Sequence, residues 1–220
     1  AATAGMHSCK ILLSRAMASQ GGNNSKAEPW AVRIADVSQA FLYADIGKGM
    51  ETYVEAHPEY YEVANLNRNN GRKVWKLRKA LYGLRSSPML WQVQLEKTLE
   101  SLGFLPDLQD PAVFTDSEGV MIVTHVDDFL VGGPRSQVDL LMQKLTEEFR
   151  MTIQDALDGQ EHTFLGRTLR WVKSGHMIFG IGQKFIEDAF QELSLEKDPK
   201  VGKNMPAWIK QDSLPELNSQ

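Results

Sequence analysis

Two adjacent aspartates, Asp127 and Asp128, interrupt an otherwise apolar stretch, GVMIVTHVDDFLVGG at residues 119–133. The β-branched and apolar residues on either side predict two strands of a tight hairpin with the carboxylates at its tip. Aspartate is a good turn former, so turn formation alone is one explanation of the pair. However, two carboxylates about 4 Å apart repel by about 4 kcal/mol at an effective dielectric constant of 20. A bound cation would convert that repulsion into binding, so the pair also indicates a metal site.

A third carboxylate, Asp36, ends the apolar stretch WAVRIAD, which is typical of a β-strand. In an antiparallel sheet this strand can lie beside the 120–126 strand of the hairpin, so that three carboxylates converge. Mg²⁺ is held by one or two carboxylates together with substrate phosphates and water. Two such ions activate an attacking hydroxyl and stabilise the leaving oxygen in phosphoryl transfer. The three aspartates therefore predict two-metal chemistry, without separating a polymerase from a nuclease or a phosphatase.

His125 precedes the hairpin tip. Because side chains alternate along a strand, we expect it to point to the opposite face from its neighbour and to stay outside the carboxylate cluster.

A basic strip, residues 68–85, holds seven cationic residues and no acidic one: Arg68, Arg72, Lys73, Lys76, Arg78, Lys79 and Arg85. The net charge of the whole chain is −4, which argues weakly against a nucleic-acid partner. A local positive strip can still follow a phosphate backbone, although a solvated charged face is the simpler alternative. Four apolar residues alternate with the charges and predict that one side of the strip is packed: Val74, Trp75, Leu77 and Leu81.

The composition is ordinary for a globular protein, with 42% hydrophobic and 24% charged residues in 220. No apolar run is long enough for a membrane span, and no signal-peptide pattern opens the chain. The single cysteine, Cys9, excludes an internal disulfide and fits a reducing compartment. The chain begins with Ala1, and we expect it to be a piece of a longer protein.

The order of predicted elements indicates an α+β fold, a mostly antiparallel sheet with helices on one face. A helix is predicted over 10–20, and Ser87 and Pro88 predict the start of another that ends at Gly103. Further elements follow in the chain: the aspartate hairpin, a helix over 136–149 capped by Ser136, a hairpin over 162–182 turning at 173–175, and a helix over 183–193. The region 44–73 is polar and predicted to be irregular, and KVWKL after it predicts a short strand.

Four segments resemble, in order and spacing, the reverse transcriptase of copia-type LTR retrotransposons: ADVSQAFL (35–42), KVWKLRKALYGLRSSPMLW (73–91), HVDDFLVGG (125–133) and TFLGRTLRW (163–171). The resemblance runs from about residue 30 to residue 193. It implies a right-hand polymerase with palm, fingers and thumb. Its partners would be an RNA or DNA template with a primer and deoxynucleoside triphosphates, and its cofactor two Mg²⁺ ions, with Mn²⁺ as a substitute.

The resemblance also implies roles for individual residues. Asp36, Asp127 and Asp128 would be catalytic and would bind metal together with the carbonyl of Val37. The other implied sites are nucleotide binding by Ala40, Phe41, Tyr82, Gly83 and Arg85, a primer grip at Leu165 and Gly166, and template or primer backbone contacts by Lys73, Lys76, Arg78 and Lys79. Phe41 would exclude the ribose 2′-hydroxyl. Alternatively, Phe41 is a core residue, Gly83 a turn glycine and Leu165–Gly166 a strand kink.

The same resemblance divides the chain into a truncated N-terminal or fingers remnant (1–30), a palm (31–43 and 87–182), a fingers part with the basic strip (44–86) and the start of a thumb or connection (183–220). His125 stands where the family usually has an aromatic residue, so we expect tuned chemistry. The family's basic fingers strands have no counterpart upstream, which suggests a polyprotein fragment. An inactive or domesticated remnant that only binds nucleic acid is the alternative. The expected location is the cytoplasm, cytoplasmic virus-like particles or the nucleus, without a membrane partner.

Overall fold

The computed structural model describes residues 5–21, 28–67, 71–172 and 176–182, together with Asp188 and Glu192. In this part of the chain the helices are α1 (Met6–Gly21), α2 (Pro58–Val63), α3 (Ser87–Ser101) and α4 (Arg135–Glu148). The strands are β1 (Trp30–Val37), β2 (Tyr53–Glu55), β3 (Val74–Lys76), β4 (Leu105–Pro106), β5 (Val113–Thr115), β6 (Met121–His125), β7 (Asp128–Pro134), β8 (Met151–Asp155), β9 (Glu161–Phe164), β10 (Arg167–Val172) and β11 (His176–Ile181). The predicted turn at 173–175 and most of the predicted helix over 183–193 lie outside the described residues.

The main sheet is antiparallel and has the strand order β4-β5-β6-β7-β1-β8, which confirms the α+β prediction. Strand β1 pairs with β7 from Trp30 opposite Pro134 to Asp36 opposite Asp128. The expectation that β1 lies beside the first strand of the aspartate hairpin is therefore wrong, since its neighbour is the second strand. Strand β7 has seven residues and β6 has five, so the longer strand matches the eight residues of β1.

Both faces of the sheet are covered. Helices α3 and α4 cover one face, where Trp91, Leu95, Leu141 and Leu145 pack against Ala31, Ala35, Phe129 and Val131. Helix α1 and strands β9 to β11 cover the other, where Leu12, Phe164 and Leu169 pack against Val32, Ile34 and Leu130. The predicted sheet with helices on one face is therefore corrected to a sheet with helices on both. The physical reason is that β1 and β7 are apolar on both sides, and both sides must leave water.

Glycine at position 132 allows α1 to approach β7 closely. A Cβ atom added there would lie 2.7 Å from Cδ2 of Leu12, which is itself fully buried. Helix α1 therefore forms part of the core and extends further in both directions than the 10–20 segment predicted from sequence.

Two helix starts differ slightly from the prediction. Ser87 is the first residue of α3 rather than its cap, and its hydroxyl donates to the carbonyl of Leu81 at 2.6 Å. Helix α4 begins one residue before Ser136, whose N–H and hydroxyl donate to the carboxylate of Glu28 at 2.6 and 2.8 Å. Both serines act as polar anchors at a helix start, but their partners lie elsewhere in the chain.

The segment predicted as one hairpin over 162–182 forms a three-stranded sheet in the order β11-β10-β9. An additional turn at Leu165 and Gly166 joins β9 to β10. The φ angles of these two residues are 50° and 69°, and positive φ at both central residues is the mark of a type I′ hairpin turn. The element pattern did not predict this turn, because leucine is an unusual residue at such a position, although the family resemblance implied a primer-gripping hairpin at these two residues.

In the region predicted to be irregular, β2 pairs with β3 and α2 packs beside them. No helix in the described part of the chain has the length and hydropathy needed to cross a membrane.

Candidate active site

Asp36 and Asp128 are direct partners across the pairing of β1 with β7. Directly opposite residues of an antiparallel pair have side chains on the same face of the sheet, with Cβ atoms about 4.5–5.5 Å apart. Asp36 follows Val32 and Ile34 at two-residue intervals, so both carboxylates lie on the face that α1 and β9 to β11 partly cover. The sheet thus brings together two of the three aspartates through its register alone.

The third aspartate, Asp127, lies in the turn between β6 and β7 together with Val126. The prediction that both aspartates form the tip is therefore off by one residue, because Asp128 already belongs to β7. The backbone around Asp127 is anchored on two sides. Its carbonyl accepts the N–H of Val37 at 2.9 Å, and the carbonyl of Val126 accepts the indole N–H of Trp91 at 2.6 Å.

The three carboxylates interact electrostatically. Partial burial, followed by the charge of Asp127, raises the pKa of Asp36. Burial, Asp127 and Asp36 raise the pKa of Asp128, and His125 opposes the increase. Burial and the neighbouring like charges both disfavour ionisation, so the three carboxylates are close enough to repel one another.

His125 does not lie where side-chain alternation placed it. It pairs with Asp128 across the hairpin, so the two residues share a face of the sheet. The prediction was wrong because Val126 and Asp127 form the turn, and the alternation restarts in β7. The Nδ1 atom of His125 is buried and has no hydrogen-bond partner among the described residues.

The donor set suits a hard divalent cation that the substrate helps to hold. Within the described ranges, no group of three or more His, Cys, Asp or Glu side chains is arranged to hold a metal ion by itself. Mg²⁺ usually takes one or two carboxylates and completes its shell with phosphate oxygens and water. Three mutually repelling aspartates, two on adjacent strands and one in the adjoining turn, fit that mode of binding better than a complete protein cage.

Tyr82 interacts with the carboxylates, and Phe41 packs against Tyr82. The rings of Phe41 and Tyr82 have centroids 4.6 Å apart. Burial, followed by the charges of Asp127 and Asp36, raises the pKa of Tyr82, which places its hydroxyl within the field of the carboxylates. Phe41 is half-buried at the edge of the apolar cluster under α3, so it is both a core neighbour and an accessible ring.

The remaining predicted nucleotide-binding residues, Ala40, Gly83 and Arg85, lie close to Phe41 or Tyr82 in the sequence. Ala40 is buried and starts a 3-10 turn over Ala40–Tyr43. Gly83 has a φ of 91°, in the left-handed region that favours glycine, and an added Cβ would meet nothing within 4 Å. Arg85 is exposed and forms no ion pair within the described ranges.

The basic strip is partly neutralised. Lys79 contacts Asp45 at 2.8 Å, Arg72 contacts Glu55 at 3.7 Å and Lys76 contacts Glu51 at 3.9 Å. Lys73 and Arg78 are exposed and have no acidic partner in the described part of the chain. Exposed ion pairs contribute about 0–1 kcal/mol, so phosphate could displace the acidic partners.

The strip lacks the packed side predicted for it. Val74, Trp75 and Leu81 remain 58%, 44% and 38% exposed. The ring of Trp75 contacts the ring of Tyr60 on α2, with centroids 5.2 Å apart, but stays largely exposed. Strand β3 pairs with the three residues of β2 alone, which is too small a sheet to bury both of its faces.

The Leu165–Gly166 turn belongs to the sheet that covers the carboxylate face. Phe164, the residue before it, is buried in the cluster with Val32 and Ile34, and Leu165 packs against the same cluster. The predicted primer grip therefore lies on the side of the main sheet that carries Asp36 and Asp128.

Trp91 contacts the aspartate turn, which the sequence did not predict. The periodicity predicted Trp91 in the apolar stripe of α3, and the residue is indeed fully buried there. The missed feature is the hydrogen bond from its indole to Val126, which joins helix α3 to the aspartate turn. Nothing in the local sequence signals a contact between residues this far apart in the chain.

The sequence of this chain matches a known protein family. The profile of the reverse transcriptase (RNA-dependent DNA polymerase) family matches residues 9–197. The chain is 30% identical, over 66% of its length, to a retrovirus-related Pol polyprotein from transposon RE1 of Arabidopsis thaliana, of which the match covers 10%. It is 28% identical, over 80% of its length, to the corresponding polyprotein from transposon TNT 1-94 of Nicotiana tabacum, of which the match covers 13%.

A transposon Ty5-1 protein of Saccharomyces cerevisiae is 29% identical over 73% of the chain, and the match covers 49% of that protein. The chain thus spans about half or less of the length of these relatives. The family profile covers most of the chain, including the segments that contain Asp36, Tyr82, Asp127 and Asp128. The chain therefore belongs to the reverse transcriptase (RNA-dependent DNA polymerase) family, as its resemblance to copia-type retrotransposon polyproteins predicted.

Proposed function

We propose that this chain is the core of an RNA-directed DNA polymerase that transfers deoxynucleotides to a primer 3′-hydroxyl. The observation that supports the proposal best is the direct pairing of Asp36 with Asp128, with Asp127 in the adjoining turn and close enough to raise the pKa of both. Titratable groups that perturb one another at one site are typical of catalytic centres.

Asp36, Asp127 and Asp128, with the carbonyl of Val37, are the groups that would hold divalent metal. When bound, two Mg²⁺ ions would lower the pKa of the attacking hydroxyl and neutralise the leaving diphosphate. The protein's contribution is to hold three negative charges at fixed positions on two strands and a turn. The sheet register fixes these positions, together with one backbone hydrogen bond and one hydrogen bond from the Trp91 indole to the turn. Little reorganisation would therefore be needed when substrate arrives.

The Phe41–Tyr82 pair would form the floor for the sugar of the incoming nucleotide. Tyr82 interacts electrostatically with Asp127 and Asp36, and its contact with Phe41 limits the movement of each ring. A rigid ring under the sugar would reject a 2′-hydroxyl by steric clash. Gly83 and Arg85, next to Tyr82 in the chain, would line the nucleotide and template.

The nucleic acid would lie across the carboxylate face of the sheet. Lys73 and Arg78 would contact the phosphate backbone most readily, because neither has an acidic partner among the described residues. Lys76 and Lys79 would first have to break their ion pairs with Glu51 and Asp45. The Leu165–Gly166 turn would contact the primer end.

Primer extension tests the proposal directly. The 220-residue chain is incubated with poly(rA), oligo(dT), dTTP and Mg²⁺, in parallel with D36N, D127N and the control E147Q. Glu147 is exposed on α4, so E147Q removes one negative charge outside the site. We expect extension by the wild type and by E147Q, and loss of extension to the level of the protein-free blank in D36N and D127N. Equal extension by all four proteins would refute the assignment of the aspartates.

A nucleic-acid-binding module without catalysis is the second candidate, favoured by Lys73 and Arg78, which are exposed and have no acidic partner among the described residues. It predicts salt-sensitive binding of primed template without extension. The same proteins distinguish the two functions, since binding without extension in the wild type would favour the second. A two-metal nuclease would instead shorten the labelled primer or template.

A further inference from the structure

The turn that carries Asp127 contains a strained residue. Val126 has a φ of 59°, whereas Asp127 is absent from the residues with positive φ. This is the pattern of a type II′ turn, whose first central position favours glycine. A β-branched residue in the left-handed region is a true outlier, so interactions around the turn must hold it there.

Trp91 provides one such interaction from the helix-covered side of the sheet. Its indole N–H donates to the Val126 carbonyl at 2.6 Å, and its side chain is fully buried. The ring is itself confined, with the ring of Phe149 at 5.2 Å and that of Tyr43 at 6.4 Å. The hydroxyl of Tyr43 in turn accepts the N–H of Arg150 at 2.8 Å. The indole therefore presents a fixed donor to the turn.

The two hydrogen bonds to the turn flank Asp127. The Val126 carbonyl belongs to the peptide before Asp127, and the Asp127 carbonyl belongs to the peptide after it. Trp91 binds the first and the N–H of Val37 binds the second. When both adjoining peptide planes are held, the direction of the Cα–Cβ bond between them is also fixed.

We propose that Trp91 is a positioning residue, which fixes the peptide before Asp127 and thereby aims the Asp127 carboxylate toward Asp36 and Asp128. This inference rests on the proposed polymerase function. Trp91 acts from the face opposite the carboxylates and touches neither nucleotide nor primer. The contact also links α3, which begins just after the Tyr82–Arg85 segment, to the catalytic turn.

Three variants of the full chain test the proposal. W91F keeps an aromatic ring but removes the donor. V126G supplies the residue that tolerates positive φ, so the turn conformation should depend less on the hydrogen bond from the indole. L95A is the matched packing control, because Leu95 is buried in the same cluster one turn along α3 and has no hydrogen bond to the aspartate turn.

We expect W91F to lower kcat by about 10- to 100-fold, the effect of a small misplacement at a reacting centre, with little change in KM for dTTP. L95A should lower Tm at least as much as W91F while keeping most of kcat. In the V126G background, W91F should lower kcat by a clearly smaller factor than it does in the wild type. A wild-type kcat in W91F, an equal loss in both backgrounds, or equal kcat losses in W91F and L95A would each overturn the proposal.

Hydrogen exchange of the Val37 amide provides a readout that does not depend on activity. This amide donates to Asp127, so a loosened turn should expose it. We expect faster exchange at Val37 in W91F than in L95A, measured relative to core amides of β7. If the wild type does not extend a primer but W91F still accelerates this exchange, the polymerase proposal fails and the positioning inference stands. Unchanged Val37 exchange in W91F would refute the inference, whatever the wild-type activity.

Discussion

The ring of Phe41 lies 4.6 Å from the ring of Tyr82, so the segment after β1 and the loop before α3 meet beside the aspartates. Each residue alone is ambiguous, since Phe41 borders the apolar core and Tyr82 is 52% exposed. Their contact produces a continuous aromatic surface, and burial, followed by the charges of Asp127 and Asp36, raises the pKa of Tyr82. We propose that the sugar of a nucleotide rests on this surface.

Replacing Phe41 by valine should relax sugar selection. A smaller side chain leaves room for a 2′-hydroxyl, and a change of this size in a pocket alters discrimination by about 10- to 200-fold. We expect the ratio of dTTP to UTP incorporation to fall by that order, with a smaller loss in dTTP use. The control is V93A on the exposed side of α3, which should leave the ratio unchanged. An unchanged ratio in an active F41V protein would show that Phe41 has only a structural role.

Removing the charge of Asp36 should stabilise the metal-free protein at neutral pH. The pKa of Asp36 is raised above 3.8 in the folded state, so folding favours its protonated form. Ionisation of Asp36 therefore lowers the free energy of unfolding as pH rises through that raised pKa, and D36N removes this loss. We expect D36N to raise Tm by a few degrees at most at pH 7 in EDTA, because Asp36 is exposed and the repulsion is screened. The gain should disappear as the pH falls toward 3.8.

Asp110 is the matched control for that experiment because its pKa shifts the other way. Although burial acts to raise it, hydrogen bonds from the Ser8 hydroxyl and from backbone N–H groups lower the pKa of Asp110. D110N should therefore destabilise the protein at pH 7, by about 1.5–3 kcal/mol for hydrogen bonds to a charged group. Its deficit should shrink on acidification through the lowered pKa. A gain in D36N that grows on acidification would contradict the interpretation of the aspartate cluster.

Removing Lys73 and Arg78 together should weaken the salt dependence of template binding. Each phosphate neutralised on a single strand contributes about 0.7 to the slope of log K against log salt, so the double alanine variant should flatten the slope by about 1.4. K79A should change it less, because the Lys79 ammonium already binds Asp45 and the Tyr43 carbonyl. The charge control is K144A on the exposed side of α4. Equal slopes in the double variant and K144A would show that the strip does not bind the backbone.

Gly133 should tolerate alanine poorly. A Cβ there would lie 2.9 Å from the Cα of Val120, and backbone in a packed sheet cannot move aside easily. Overpacking of this kind costs about 1–3 kcal/mol. G180A is the matched control, since Gly180 is also in a strand and an added Cβ would meet nothing within 4 Å. Chemical denaturation should show a lower free energy of unfolding for G133A alone, and similar values for both variants would contradict the packing argument.

The sequence by itself determined the features that depend on near neighbours in the chain. The apolar stretch around Asp127 and Asp128 predicted a hairpin, and Pro88 with the stripe from Trp91 to Leu99 predicted helix α3, because turn chemistry and side-chain periodicity are local properties. The same motifs identified the family. The errors of these predictions were also local. One example is the one-residue shift of the aspartate turn, which the positive φ of Val126 accommodates.

Only the tertiary structure decided which distant groups meet. It placed Asp36 opposite Asp128 rather than beside β6, and it turned His125 toward Asp128. It also paired Lys79 with Asp45 and joined Trp91 to the carbonyl of Val126. Strand order, register and helix docking depend on how all the apolar surfaces are buried at once, so no short stretch of the chain specifies these contacts.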